Sequence, residues 1–312
     1  MGQANPTVSL KSSFIRVYEV WTLNPSGELL HLNNAHYGGL TSFERLSAKT
    51  SFAYGEGLPG KAWQVKRPVV LTDFDETTFV RTEAAHNVGL TSGVAMPIFA
   101  DDELKAVLVM LCGDKDSATG AIEVWQDDKL SGMALVDGYY GDMQRFEWLS
   151  KLIKFPSGVG LPGGVWRSAT PQVMGDLSRS TSFMRAANAR DAGISTGIGI
   201  PFYSPDNKQD MTAVLTFLSA NETPIARRFE VWESLPYTDE LYFVSGIDQD
   251  RDKVEPADKN RRIISGDGVI GQTLQEGIPV ISDSPDNSAF QSMLVIPIQR
   301  PDKSYAVAVF YQ

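Results

Sequence analysis

"GEGLPGKAWQVKRPVVLTDFDETTFVRTEAAHNVGLTSGVAMPIF" (residues 55–99) opens on G-x-G-x-x-G, the glycine spacing of many dinucleotide-binding loops. Two later stretches repeat its frame. They are "GVGLPGGVWRSATPQVMGDLSRSTSFMRAANARDAGISTGIGIPFY" at 158–203 and "GDGVIG" at 266–271, which leads to "LVIPIQ" at 294–299. Gly60, Gly163 and Gly271 close the three loops, and a proline follows eight positions on each time: Pro68, Pro171 and Pro279. The triplet Glu-Val-Trp keeps the same phase upstream, at Glu19–Trp21, Glu123–Trp125 and Glu230–Trp232. Such phasing defines an internal repeat of about one small domain, with units expected at 1–117, 118–222 and 223–312.

The loop does not read as a nucleotide site. A dinucleotide fold needs a buried parallel strand before the glycines and a long crossover helix after them. "SAKTSFAY" is no such strand, "LIKFPS" carries a proline, and only seven residues separate Gly60 from Pro68. No V-A-I-K, H-R-D or D-F-G triplet supports a kinase reading. The glycines fit an elbow better: Gly55 and Gly57 permit positive φ, Pro59 presets a helical turn, and Gly60 allows close packing. Trp63 and Trp166 should point back under this elbow; Leu274 stands there in the third repeat.

Each repeat reads as strand, hairpin, strand, glycine loop, short helix, strand, helix, strand, hairpin, strand, an α+β pattern. "FVRTEAAHNVG" and "FMRAANARDAG" read as pocket helices capped by Gly89 and Gly193. Repeat three has only 14 residues from Asp283 to Pro297, against 24 and 25 at the matching places, and the missing residues are those of this helix. The third unit therefore reads as a shortened capping domain that finishes the array and packs on a neighbour.

The 55–99 stretch and its partner at 158–203 resemble the central part of a GAF domain, a relative of the PAS fold found in signalling proteins. Repeat three resembles it on both sides of its deletion. The resemblance implies three tandem GAF-like domains, each an antiparallel sheet with helices inserted on one face. It also implies a pocket between sheet and helix in repeats one and two. The matched residues are Phe79 and Phe183 as apolar floor, Arg81 and Arg185 as an anion contact, and Ala85 and Ala189 for close backbone approach. Ser92, Ser195 and Thr196 supply hydroxyls, His86 and Arg190 sit at the mouth, and Trp63 and Trp166 lie beside it. The competing reading makes the phenylalanines core aromatics and pairs the arginines with nearby acids. The helices that normally flank such a sheet do not fit the short junctions, such as Gly113–Ala121, and no output domain is expected.

Composition narrows the chemistry. The 312 residues carry a formal charge of −10, which disfavours nucleic acid and anionic membranes. One cysteine, Cys112, excludes an internal disulfide and a two-thiol sulfoxide reductase cycle, and three histidines are too few for a Cys/His metal centre. Cys112 reads as a buried apolar residue and not as a bilin attachment point. Asp73, Asp75 and Glu76 read as a polar strand end, with Asp75 or Thr78 capping the helix. His31 and His36 lie on a hairpin strand, His36 having the better claim to a ligand. The expectation is a non-enzymatic, cofactor-free cytoplasmic sensor that binds a small molecule in repeats one and two and acts on a protein partner or as a homo-oligomer. The alternative is a structural or interaction module with vestigial pockets. Strand alternation separates Tyr18 and Val20 from Glu19 and Trp21, and the uncovered back face is expected to place Trp21, Trp125 and Trp232 at contacts between repeats or between subunits.

Overall fold

Strand propensity and alternation produce three copies of one sheet. In this computed structural model residues 13–75, 78–113, 118–203, 205, 211–248, 261–283 and 290–312 are described. Repeat one runs β1 (Ile15–Leu23), β2 (Leu29–His36), α1 (Thr41–Ser47), β3 (Ser51–Ala53), α2 (Gly57–Val65), β4 (Val69–Leu71), α3 (Thr82–His86), β5 (Leu90–Ala100) and β6 (Glu103–Gly113). Repeat two follows with β7 (Gly120–Asp127), β8 (Met133–Tyr139), α4 (Gln144–Leu152), β9 (Lys154–Phe155), α5 (Gly160–Ser168), β10 (Gln172–Met174), α6 (Ala186–Asp191), β11 (Thr196–Phe202) and β12 (Ala213–Ser219). Repeat three has β13 (Arg228–Ser234), β14 (Glu240–Asp248), β15 (Arg262–Ile264), α7 (Gly268–Glu276), β16 (Val280–Asp283), β17 (Ser292–Gln299) and β18 (Tyr305–Tyr311).

Each repeat builds a six-stranded sheet, in the first β3-β2-β1-β6-β5-β4, and the other two have the same order. The neighbours are antiparallel. The first hairpin shifts register at the same place in all three, Val20/Trp21, Val124/Trp125 and Val231/Trp232, so the bulge belongs to the repeat and not to one copy.

The glycine elbow is steric. Gly55 and Gly57 have φ of 83° and 55°. A Cβ on Gly60 would lie 2.1 Å from the Ala53 carbonyl oxygen, and one on Gly163 or Gly271 would meet Pro156 or Ile264 as closely, at 2.1 and 2.3 Å. Only a glycine lets the helix start touch the preceding backbone there. Trp63 packs edge-on against Tyr54, the residue before the elbow, at 5.0 Å.

The back faces of the three sheets meet one another. Tyr18, Val20, Leu108 and Met110 share one core with Ile122, Val124, Leu215 and Phe217 and with Phe229, Val231, Ala308 and Phe310. That packing explains why the closing strands are apolar on both faces: in β6, Leu108, Met110 and Cys112 enter the shared core while Val107, Val109 and Leu111 enter the core of their own repeat. The three tryptophans, expected at such contacts, take no part in this shared core. Glu19 and Trp21 do lie opposite Tyr18 and Val20, but Trp21, Trp125 and Trp232 are fully buried inside their own repeats, and it is the tyrosine–valine side that forms the contact. An indole with a polar N–H goes where a partner carboxylate waits, and the purely apolar side packs sheet on sheet.

The repeats close a ring. Edge strand β4 lies against β8 of repeat two, β10 against β14 of repeat three, and β16 against β2 of repeat one. Equivalent positions make the first and third of these contacts. The Val70 N–H donates to Asp137 at 3.1 Å, and Asn34 donates its amide to the Ile281 carbonyl at 3.0 Å, while His36 Nδ1 meets Asp283 at 2.7 Å. Between repeats two and three, Arg300, paired with Glu233 of its own repeat, donates to the Ala169 carbonyl at 2.9 Å and to Thr170 Oγ1 at 2.7 Å. Repeat three therefore finishes the array as expected, but it packs on both neighbours and not on one. The segment that should replace its pocket helix, 284–289, lies outside the described residues, as does Glu76.

Candidate functional site

The site expected from the sequence lies between the front of each sheet and its helices, and its centre is a buried ion pair. Arg81 sits at the N-cap of α3 with non-helical backbone, φ −109° and ψ 28°, so its side chain turns inward from the loop and not from the helix. The Asp75 carboxylate takes the Thr78 N–H at 2.9 Å and so caps the turn before Phe79. The helix itself is shorter than expected, five residues in α3 and six in α6.

Arg81 meets Glu19 end on. Its two terminal nitrogens contact the two carboxylate oxygens, Nη2 at 2.9 Å, and Nη1 also reaches Ser47 Oγ. Trp21 Nε1 and the Tyr37 hydroxyl donate to the same carboxylate at 3.1 and 3.0 Å. Around the guanidinium carbon stand four rings, Trp21, Phe43, Phe52 and Phe79, with centroids 5.4, 4.8, 5.6 and 5.2 Å away. Arg81 is 3% exposed and Glu19 fully buried. The cluster satisfies the two demands on a buried charge, an opposite charge and hydrogen bonds to its remaining lone pairs.

Repeat two reproduces every part. Arg185 pairs with Glu123, its Nη2 at 2.9 Å, and reaches Ser150 Oγ at 2.6 Å. Trp125, Phe146, Phe155 and Phe183 surround it at 5.4, 4.6, 5.5 and 5.2 Å. The Glu123 carboxylate accepts from Tyr140, Trp125 and additionally Thr216, at 3.0, 3.1 and 2.9 Å. Burial alone pushes this carboxyl up, but the Arg185 charge and the hydrogen bonds from Arg185, Thr216 and Tyr140 outweigh it and hold Glu123 below the usual carboxylate range. Burial, with the Glu123 charge adding to it, raises the Tyr140 phenol far above its ordinary value, so it donates as a neutral hydroxyl.

In repeat three Glu230 is equally buried and accepts from Trp232 Nε1 at 3.0 Å, but its cation is Arg228, two residues away on the same strand. Arg261 lies 5.2 Å over the Trp232 ring from an exposed position.

Of the residues singled out from the sequence, Phe79, Arg81 and Ala85 come together in repeat one and Phe183, Arg185 and Ala189 in repeat two. Both arginines spend their charge on acids of their own repeat. Ser92 and Thr196 face the opposite side of the sheet: Ser92 pairs in register with Cys112, whose thiol burial pushes up to about 12 against the pull of the Ser92 hydroxyl, and Thr196 pairs with Ser219. Ser195 bonds the Ser219 carbonyl at 3.3 Å. His86 and Arg190 are exposed, and Arg190 reaches the Ser178 carbonyl at 2.9 Å. Trp63 and Trp166 are half-buried, Trp166 beside a surface hollow with Leu130 and Pro156. His36 lines a hollow of about 260 Å³ between repeats one and three, with Arg16, Tyr18 and Arg227; His31 is exposed on β2. Among the described residues no three metal-ligating side chains cluster.

Sequence reading missed half of the cage. Glu19 and Glu123 served only as repeat landmarks, and α1 and α4, which carry Phe43, Ser47, Phe146 and Ser150, were not recognised. The signal was present as F-E-x-L-S, at Phe43–Ser47 and Phe146–Ser150, an i,i+4 pair of buried residues on a short helix.

Residues 14–126 match the family profile described as the GAF domain. The first repeat is a GAF domain. The second and third sheets repeat its strand order, so the chain is built of three tandem GAF-like domains. Among solved structures, the chain is similar to free methionine-R-sulfoxide reductase of Neisseria meningitidis in complex with its substrate, 20% identical over 32% of this chain and 53% of that one, TM-score 0.25. It is similar also to the GAF domain of a phosphoenolpyruvate-protein phosphotransferase of Coxiella burnetii, 20% identical over 32% and 58%, TM-score 0.27. A third is the NreA protein of Staphylococcus aureus mutated in its nitrate binding site, 16% identical over 36% and 81%, TM-score 0.28. The match spans little more than half of the first of these chains. No curated protein sequence matches significantly. GAF domains are in general small-molecule-binding or regulatory modules, and among the described residues of this chain no helix is long and apolar enough to cross a membrane.

Proposed function

We propose that this chain is a non-catalytic regulatory module whose three GAF-like domains present one rigid ring to a protein partner, with the front pockets of repeats one and two closed by their own arginines. The observation that carries the reading is the cage. In both repeats the guanidinium occupies the space between sheet and helix, neutralised by a carboxylate and enclosed by four rings. Of the two expectations from the sequence, this favours the interaction module over the ligand sensor. The buried Cys112 argues against thiol chemistry, since burial disfavours the thiolate that such chemistry requires. A lone cysteine and an acidic surface fit a reducing, cytoplasmic setting.

Native mass spectrometry of freshly purified full-length protein tests the reading. The expected mass is that of the polypeptide without a small molecule. A stoichiometric ligand released on denaturation and lost on substituting residues of the cage would overturn it.

A further inference from the structure

The cage has the composition of a receptor, and its occupant is a side chain. Two carboxylate oxygens of Glu19 are engaged side by side by two nitrogens, the bidentate pattern that suits the planar fork of a guanidinium better than the point charge of an ammonium. Trp21 and Tyr37 hold that carboxylate by donating to it, so the acceptor geometry is fixed by groups other than the arginine. The rings of Trp21, Phe43, Phe52 and Phe79 turn electron-rich surface toward the positive carbon from several directions. Nε of Arg81, and likewise Nε of Arg185, is buried with no hydrogen-bond partner. The cage therefore recognises the two terminal nitrogens and leaves the alkylated nitrogen unread, which is the recognition expected for any monoalkylguanidinium. The same constellation is assembled twice, around Glu19 and around Glu123.

We propose that each cage is a binding site for monoalkylguanidinium cations in which Arg81 or Arg185 acts as a tethered occupant, so that the site accepts a free ligand of that class once the arginine is withdrawn. Tethering gives the side chain an effective concentration that free ligand at millimolar levels does not exceed, so the intact protein stays closed. The inference stands on the cage alone and does not depend on the existence of a protein partner.

The test uses the full-length chain with Arg81→Ala, and independently with Arg185→Ala, titrated with N-ethylguanidinium chloride at concentrations well below those that denature. Thermal unfolding and titration calorimetry are the readouts. Each variant should melt lower than the parent and recover with one saturable site per missing arginine, while the parent shows no such site. N-Ethylurea, similar in shape but neutral, should not rescue, and Glu19→Gln in the Arg81→Ala background should weaken the rescue about tenfold or more. If Arg81→Ala does not fold alone, it is refolded from urea with each compound: recovery of native tryptophan fluorescence with N-ethylguanidinium only supports the proposal. Rescue by N-ethylurea to the same extent, rescue indifferent to Glu19→Gln, or no rescue of either variant would overturn it.

Discussion

Replacing Arg185 by methionine in the full-length protein leaves the fully buried Glu123 carboxylate without its counter-charge. Removing one partner of a buried pair costs about 3–5 kcal/mol, because the remaining ion stays desolvated. For a protein of this size that lowers Tm by on the order of 10 °C. Removing the acid as well, Glu123→Leu with Arg185→Met, abolishes the stranded charge. The Tyr140 and Thr216 hydroxyls then lose their acceptor, at about 1–3 kcal/mol each. Trp125 keeps one, since its Nε1 also lies 3.2 Å from Thr216 Oγ1. Adding Tyr140→Phe leaves the buried Thr216 hydroxyl as the donor that loses its acceptor, so the triple variant should return to within about 1–3 kcal/mol of the parent. Urea unfolding followed by far-UV circular dichroism and tryptophan fluorescence gives the comparison. The reasoning fails if the single variant loses under about 1 kcal/mol, or if the triple variant is no more stable than the single.

The same pair sets an acid limit on stability. Glu123 has its pKa lowered in the folded state, so its contribution is present above the unfolded carboxylate value of about 4.3 and is lost as pH falls through the lower folded value. Arg185, Tyr140, Trp125 and Thr216 are the groups that face it. Acid titration of stability in the triple variant should lack this component; an unchanged acid profile would count against the assignment. Acrylamide quenching of native fluorescence should leave Trp21, Trp125 and Trp232 shielded and fall mainly on Trp148, which is 61% exposed, and Trp148→Phe should remove most of the accessible fraction. Residues 118–222 expressed alone should be less stable than in the full chain, since Ile122, Val124, Leu215 and Phe217 lose the sheets that cover them; an equal melting temperature would refute the shared core. Cys112 should resist a thiol reagent in the native protein at pH 8 and react only on unfolding, because it is fully buried with its thiol raised to about 12; fast native labelling would contradict that burial.

Periodicity, glycine spacing and turn chemistry are local, and what they control was legible in the chain alone. The triplicate phase of Glu-Val-Trp, the steric elbow at Gly60 and the double-faced closing strand β6 all follow from neighbours within a few residues or one strand pairing. The direction in which a sheet face points is not local. Alternation separated Trp21 from Val20, yet only the meeting of three sheets decided that the valines pack outward against other repeats while the tryptophans turn inward to a carboxylate. The role of Arg81 was decided the same way. Its anion is supplied by Glu19, 62 residues earlier, and its cage by Phe43 and Phe52 from elements of other register, so no window of sequence contains the site. Ring closure is the most distant case: β16 finds β2, with Asn34 and Ile281 separated by 247 positions, because three equivalent apolar faces can all be covered only when the last repeat returns to the first.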